Sequence, residues 1–408
     1  MRLRARPITV VVASGIASVS LCLATGSVGF ADTAQGQDGQ PGDQGGAGPL
    51  TVTTILSGSS LTHSFTPAGS SNPTTETLTN PDDITRLGDD IFVGFQNGVG
   101  PQGQASTSGN LDSTVVETTL SGQPVAQWDV TGKVDGLTAD PELGSVIATV
   151  NEDANSSLYT ITPGSGSAVQ HFAYNEPLPH FGGTDAISIF HGQILISASA
   201  PGTTGQAAPQ PTYPAVYSVT LDNATSVATV TPVFSDEDAA TVANVGTAQS
   251  GQTVQLGLTD PDSSSVVPFG APRFQGQFML TSQGDQQQIF LGRGPNPTLS
   301  VLNLSQSVDD TAWPTSHGTL YATDSTNNTI DAVTGDFPND PVVAVTPCGS
   351  NSAPSTCPAP PQFPADYLGT LNPWTGQISP LATTGTAIVP QGGLVFVPQG
   401  QGDQGNQG

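Results

Sequence analysis

Basic residues are scarce in this sequence. It has 7 Lys and Arg against 33 Asp and Glu, which gives a formal net charge of −26 at pH 7. Nucleic acids and anionic membranes are bound through clustered Lys and Arg, so the composition argues against both as partners. The charge instead favours cations or cationic polymers, although an acidic surface also serves solubility alone.

Long apolar runs are confined to the N-terminus. Basic residues within 1–6 precede an apolar stretch from Ile8 to about Leu23, and small residues precede Asp32. This order is typical of a secretory signal peptide, and we expect cleavage after Ala31. No later segment approaches the roughly 18 consecutive apolar residues of a membrane helix. The sequence therefore predicts a secreted, extracellular protein without membrane insertion.

Cysteine is also rare, with 3 in the whole chain. Cleavage of the signal peptide removes Cys22 and leaves Cys348 and Cys357. An even pair in an oxidising compartment favours a disulfide between them.

Between two Gln- and Gly-rich segments, at 32–49 and 399–408, the sequence has almost no helical periodicity. The two segments contain little that can be buried, so we expect them to be disordered. In the body, at 50–398, short runs rich in Val, Ile, Thr and Phe alternate with clusters of Gly, Pro, Asn, Asp and Ser. This pattern predicts an all-β fold.

A strand, a turn containing glycine and a second strand recur six times. The copies lie at residues 83–95, 137–150, 185–198, 262–282, 310–325 and 385–398. Two further strand-like runs follow most copies, and four strands per unit are typical of a propeller blade. We therefore predict a six-bladed β-propeller. A seven-bladed ring would require a blade at 236–260, which we interpret as a connection between the third and fourth units.

The last two units depart from the simple repeat. The fifth has an insertion at about 335–365 that contains both remaining cysteines. The sixth has no strands after its hairpin, and we expect the N-terminal runs Leu50–Ile55 and Leu61–Phe65 to complete it. Such a closure removes the open sheet edges that favour aggregation.

Two phrases of the sequence are informative about family. Residues 320–330 read LYATDSTNNTI and residues 371–378 read LNPWTGQI. They resemble secreted bacterial propellers of the NHL type and of the gluconolactonase- and regucalcin-like superfamily, and longer blocks resemble uncharacterised actinobacterial proteins. The superfamily resemblance implies a divalent metal near the channel, held by acidic and amide side chains, that polarises a lactone carbonyl. Asn97, Asn151 and Asp324 occupy comparable positions.

Aspartate opens the first strand of five of the six units, and Gly385 stands in the sixth. Because first strands begin at one face of a propeller, these side chains are expected to surround the mouth of the central channel. Carboxylate oxygens suit Ca²⁺ or another hard divalent cation. An aspartate before a strand also caps turns, and this alternative remains open. The candidate metal ligands are Asp83, Asp135, Asp185, Asp262 and Asp310.

Further candidates for ligand binding follow the second strands or lie in the loops of the same face. They are Asn97, Asn151, Glu152, Asp324 and His180. The sequence contains no nucleophile elbow and no zinc-protease helix motif. We therefore expect a monomeric binding module for a protein, a glycan or a cation, without catalysis of its own. The alternative is a metal-dependent hydrolase of the lactonase type.

Overall fold

The structure, a computed structural model, describes residues 49–164, 168–202, 212–294, 297–315, 317–347 and 366–399. The predicted signal peptide, Cys348, Cys357 and all but one residue of each Gln/Gly-rich segment lie outside these residues. No helix in the described part of the chain is long and apolar enough to cross a membrane.

Short strands make up almost all regular structure in the described residues. Strands β1 to β7 are Leu50–Ser57, Thr62–Phe65, Thr74–Thr77, Pro81–Leu87, Asp90–Phe95, Asp112–Thr119 and Pro124–Thr131. Strands β8 to β15 are Val134–Asp140, Ser145–Val150, Ser157–Thr162, Ala168–Tyr174, Ile187–Phe190, Gln193–Ser197, Pro214–Asp222 and Val227–Ser235. Strands β16 to β22 are Ala239–Val242, Thr253–Gln255, Pro261–Val266, Phe278–Ser282, Gln287–Leu291, Leu299–Asn303 and Val308–Ala312. Strands β23 to β29 are Gly318–Asp324, Thr329–Gly335, Val342–Val345, Tyr367–Leu371, Ile378–Pro380, Thr383–Gly385 and Leu394–Pro398. Two 3₁₀ turns lie at Gly58–Ser60 and Pro179–Phe181.

These strands form mainly antiparallel sheets. Strands β4 to β7 form one four-stranded sheet. An eight-stranded sheet contains β8 to β11 and β12 to β15, joined at their outer edges by a short parallel pairing of β11 with β15. Strands β18 to β21 are extended outward by the hairpin β16–β17. The other sheets have the orders β22-β25-β26-β27, β28-β1-β24-β23-β29 and β2-β3.

The first strands of the successive four-stranded units lie side by side in a closed cycle. β4 contacts β8, β8 contacts β12, β12 contacts β18, β18 contacts β22, β22 contacts β29, and β29 contacts β4. Apolar side chains fill the spaces between neighbouring units, as where Leu195 of β13 clusters with Phe278 and Leu280 of β19. The prediction of an all-β, propeller-like fold is thus confirmed.

The last two predicted hairpins are wrong. Strand β22 pairs with β25 rather than with β23, and β23 lies between β24 and β29. Pro314 lies in the connection between β22 and β23 and has no N–H to donate to a hairpin ladder. Strand β25, a buried run of four residues, falls within the predicted insertion. Gly385 belongs to the outer strand β28 and not to a first strand.

The first described strand, β1, joins the sheet that contains the last described strand, β29. β1 pairs antiparallel with β24, from Thr51 opposite Thr334 to Ser57 opposite Thr329, and its other edge pairs with β28. The second predicted N-terminal strand behaves differently, because β2 pairs only with β3 in a separate hairpin.

Candidate functional site

The cycle of first strands encloses a cavity of about 540 Å³. Its lining is rich in carboxyl groups, and Lys133 is the only basic side chain among the lining residues that the structure describes. The acidic lining residues are Asp82, Asp83, Asp135, Glu152, Asp185, Asp262, Asp309 and Asp310. All five predicted metal ligands therefore lie in one cavity, together with Glu152.

A bulge at the start of the first strands decides which aspartate occupies the repeated position. The pairing skips two residues between Pro81 and Ile84 in β4, and it does the same in β8 and β22. The first skipped residue is an aspartate each time. Asp185, two residues before β12, and Asp262, which the pairing of β18 skips, take the equivalent positions. The repeated set is therefore Asp82, Asp135, Asp185, Asp262 and Asp309. Gly392, before β29, takes the sixth position.

Asp83 and Asp310, the second residues of their bulges, connect neighbouring first strands. Asp83 accepts the N–H of Leu137 in β8 through Oδ2, at 2.5 Å, and that of Ile84 through Oδ1, at 2.7 Å. Asp310 repeats the arrangement: Oδ2 accepts the N–H of Leu394 in β29 at 2.6 Å, and Oδ1 accepts that of the next residue at 2.6 Å. With backbone donors on both oxygens, these two carboxylates have a structural role.

Asp135 and Asp185 have oxygens without such donors. Asp135 Oδ2 and Asp185 Oδ1 are buried and have no hydrogen-bond partner among the described residues, and Asp185 is only 6% exposed. Asp262 Oδ2 is also buried without a hydrogen-bond partner among the described residues, and the neighbouring carboxyl of Asp309 is one of the groups that raise the pKa of Asp262. Buried polar atoms are normally paired, so these oxygens indicate where a ligand binds.

Lys133 places its ammonium group among these carboxylates. Nζ lies 3.0 Å from Asp135 Oδ1 and also hydrogen-bonds Glu152 Oε1. Burial lowers the pKa of Lys133, but the charges of Asp135, Glu152 and Asp82 outweigh it, so the pKa is raised above its usual value. The ammonium group therefore stays charged and neutralises part of the site.

One positive charge leaves most of the carboxyl groups uncompensated. Burial, followed by repulsion from neighbouring carboxylates, raises the pKa values of Asp82, Asp185 and Asp262 well above the usual 3.8. Burial also raises the pKa of Asp135 to about 7, against the opposing effect of Lys133, and that of Asp310 to about 6. A bound cation would favour the charged forms.

Asp135, Glu152 and Asp185 are the three side chains that could hold a metal ion together. One oxygen of each lies within 4.8 Å of the others. A set of carboxylate oxygens suits a hard cation such as Ca²⁺. Lys133 already hydrogen-bonds two of the three, so a metal ion would have to displace its ammonium group.

The other predicted ligand residues do not line this cavity. Asn97 accepts the N–H of Thr79 and donates to Thr114 Oγ1, and Asn151 accepts the N–H of Lys133. These amides hold strand ends in place.

Asp324 and His180 also bond to backbone groups outside the cavity. Asp324 accepts the N–H groups of Asn327 and Val389, at 2.8 and 2.7 Å. His180 Nδ1 lies 2.7 Å from the carbonyl oxygen of Ala200, and its ring packs edge-on against Tyr213.

The sequence interpretation missed Asp82, Asp309 and Lys133. The doublets Asp82-Asp83 and Asp309-Asp310 were the available signal for the first two. Lys133 is the only lysine of the chain and precedes a repeated aspartate by two residues, which is the signal that could have placed it.

No known family profile matches the sequence, and no curated protein matches it. Among solved structures, the chain is similar to a functionally unknown protein from Desulfotomaculum acetoxidans, with a TM-score of 0.42, 10% identity, and coverage of 86% of this chain and 99% of that one. A periplasmic gluconolactonase from Pseudomonas aeruginosa has a TM-score of 0.42, 12% identity, and coverage of 85% and 99%. Virginiamycin B lyase from Staphylococcus aureus has a TM-score of 0.31, 11% identity, and coverage of 67% and 99%. A gluconolactonase is thus among the similar structures, as the sequence resemblance predicted.

Proposed function

We propose that this protein is a binding module whose central cavity takes a cation. The observation that carries the proposal is the pair of buried oxygens, Asp135 Oδ2 and Asp185 Oδ1, that lack a donor inside an acidic cavity. Burying a carboxylate without a partner is costly, and a bound cation offsets that cost. A cavity with eight carboxyl groups and one ammonium group can accept additional positive charge.

The proposal is tested by cation-dependent stabilisation of the purified protein. Thermal unfolding at pH 7.5 is followed with and without millimolar CaCl₂ or MgCl₂, at constant ionic strength, and with organic ammonium salts. We expect at least one cation to raise the Tm. Asp185→Asn should abolish most of that increase, because it replaces a carboxylate that supplies one of the two unpaired oxygens by a neutral amide.

Asp310→Asn is the matched control, since this aspartate lines the same cavity but gives its oxygens to backbone donors. It should lower the Tm while keeping the increase caused by the cation. If no cation stabilises the native protein, or if Asp185→Asn responds like the native protein, the proposal fails.

A metal-dependent hydrolase of the lactonase type is the second candidate. It is favoured by the close set of Asp135, Glu152 and Asp185 and by the raised pKa of Asp135, which at about 7 suits proton transfer near neutral pH. The assay is hydrolysis of δ-gluconolactone with added Ca²⁺, Mn²⁺ or Zn²⁺. If the native protein hydrolyses the lactone no faster than the Asp185→Asn variant does, this activity is excluded.

We also infer that the ring has six blades. Six first strands contact one another in a closed cycle, and the eight-stranded sheet is continuous only through Ala173 opposite Val227 and Tyr174 opposite Ala228. This junction joins two four-stranded units at their outer edges. An experimental structure with a seventh radial sheet would overturn the count.

A further inference from the structure

The acidic groups of the cavity are distributed around the ring. Among the described residues, Asp135, Glu152 and Asp185 are the only set of three acidic side chains whose oxygens lie within 4.8 Å of one another. Asp262 and Asp309 lie together at the openings of β18 and β22. A calcium ion binds oxygens at about 2.3 to 2.6 Å, so a single ion cannot bind both groups in full. A ligand that carries several covalently linked positive charges matches these separated carboxyl groups better than a single metal ion does.

Lys133 shows how this cavity accommodates a primary ammonium group. Its Nζ binds Asp135 Oδ1 and Glu152 Oε1, while its side chain is only 16% exposed. Asp135 Oδ2 belongs to the carboxyl group that Lys133 binds, and Asp185 has an oxygen within 4.8 Å of those of Asp135 and Glu152. Asp135 Oδ2 and Asp185 Oδ1 have no partner among the described residues. They offer acceptors for a second ammonium group, supplied by a ligand.

Below the acidic openings, the cavity wall changes to aliphatic and hydroxyl groups. Ile189, Val266 and Val395 are partly exposed where they line it, and Thr138 and Ser265 also line it. Aliphatic surface favours contact with methylene groups. A compact hydrated metal ion would leave this surface unused.

We propose that the ligand is a linear organic polyamine, whose ammonium groups are separated by methylene segments. The proposal rests on the proposed cation-binding function and names its ligand class. One ammonium group binds Asp185 and Asp135 Oδ2 beside Lys133. A second binds the Asp262 and Asp309 carboxylates, and the methylene segments contact the aliphatic wall.

Isothermal titration at pH 7.5 and constant ionic strength tests this ligand class. The probes are spermine, 1,4-diaminobutane, n-butylamine and MgCl₂. We expect spermine to bind with a stoichiometry of one, and affinity to fall by about tenfold or more from spermine to diaminobutane and again to butylamine, because charge-assisted hydrogen bonds are lost.

Two variants of cavity residues and one surface control distinguish spermine binding in the cavity from binding to the acidic surface of the protein. Asp185→Asn and Asp262→Asn should each weaken spermine binding by about tenfold or more. Asp89→Asn, whose side chain is 97% exposed in a hairpin turn, should leave it unchanged. Circular dichroism and the Tm verify that each variant is folded.

The outcomes distinguish this inference from the proposed function. If Mg²⁺ or Ca²⁺ binds in a manner that requires Asp185, while spermine binds no tighter than butylamine, the ligand class is wrong and the cation-binding function stands. If spermine binding is equally weakened by Asp89→Asn, it is a surface effect and the inference fails. If neither amines nor metals bind, both proposals fail.

Discussion

At the residue scale, Lys133 has two opposing effects on the cavity. Its ammonium group stabilises Asp135 and Glu152, but it also occupies the oxygens that a metal ion would need. Removing one partner from a largely buried ion pair leaves the other charge uncompensated. The same removal lowers the repulsion that an incoming cation experiences. Stability and cation affinity should therefore change in opposite directions.

We predict that Lys133→Met lowers the free energy of unfolding by about 2 kcal/mol at pH 7.5 and raises the affinity for Ca²⁺ by about tenfold or more. Urea denaturation measures the first effect and titration calorimetry the second. The control is Arg86→Met, since Arg86 pairs with Asp89 at 3.9 Å on the surface and should contribute little. A loss of Ca²⁺ affinity in Lys133→Met would mean that Lys133 orders the carboxylates instead of competing with the metal.

How far the site could be predicted depends on the residue. Asp135, Asp185 and Asp262 have no adjacent aspartate in the sequence, and the repeat placed them at the cavity. In the doublet Asp82-Asp83 the repeat could not tell which residue points to a ligand, because a backbone bulge decides it. Lys133 is paired with Glu152 only after the β8–β9 hairpin brings the two together, 19 residues apart in sequence.

At the scale of elements, the first four hairpins were predictable because each consists of two strands joined by a turn with glycine. The fifth and sixth could not be predicted in the same way, since their partners are distant in sequence. Strand β22 pairs with β25, about 30 residues later in the sequence, and β23 pairs with β29, the last strand described. Local patterning does not specify such non-local pairings, and burial of β23 between two neighbours selects them.

The hairpin β2–β3 depends on one buried histidine. An isolated two-stranded hairpin is marginally stable. His63, 2% exposed, lies 3.3 Å from Glu76 on β3 and 3.3 Å from Asp129 on β7. Burial lowers the pKa of His63, but the ionic contact with Asp129 and the hydrogen bond and charge of Glu76 outweigh it, so the pKa is raised above 6.5.

A raised histidine pKa gives stability that is complete below pH 6.5 and is lost as the pH rises through the folded-state pKa. We therefore predict that the amide protection of β2–β3, corrected for intrinsic exchange, decreases between pH 6 and pH 9. His63→Gln should remove this pH dependence. His171→Gln, on the outer strand β11, should retain it. Protection that stays constant over this range in the native protein would contradict the role of His63.

At the scale of the whole molecule, the cavity concentrates negative charge that the rest of the chain cannot compensate. The chain has 33 acidic and 7 basic residues, so few basic side chains can pair with the carboxyl groups of the cavity. For Asp82, Asp185 and Asp262 the folded-state pKa lies well above 3.8, so the folded protein binds more protons than the unfolded chain above that pH. The free energy of unfolding must then fall as the pH rises from about 4 through the folded-state pKa values.

A cation in the cavity reverses this trend, because it binds the ionised carboxylates and not the protonated ones. We predict that the ligand-free protein loses stability between pH 5 and pH 8, and that the Tm increase caused by the bound cation grows over the same interval. Thermal unfolding at pH 5, 6, 7 and 8, with and without a saturating concentration of the cation that raises the Tm at pH 7.5, measures both. In Asp185→Asn the ligand-free decline should be smaller, since one of the carboxyl groups responsible no longer titrates. A cation effect that is equal at pH 5 and pH 8 would show that the positive charge binds outside the cavity, to carboxylates that are ionised throughout.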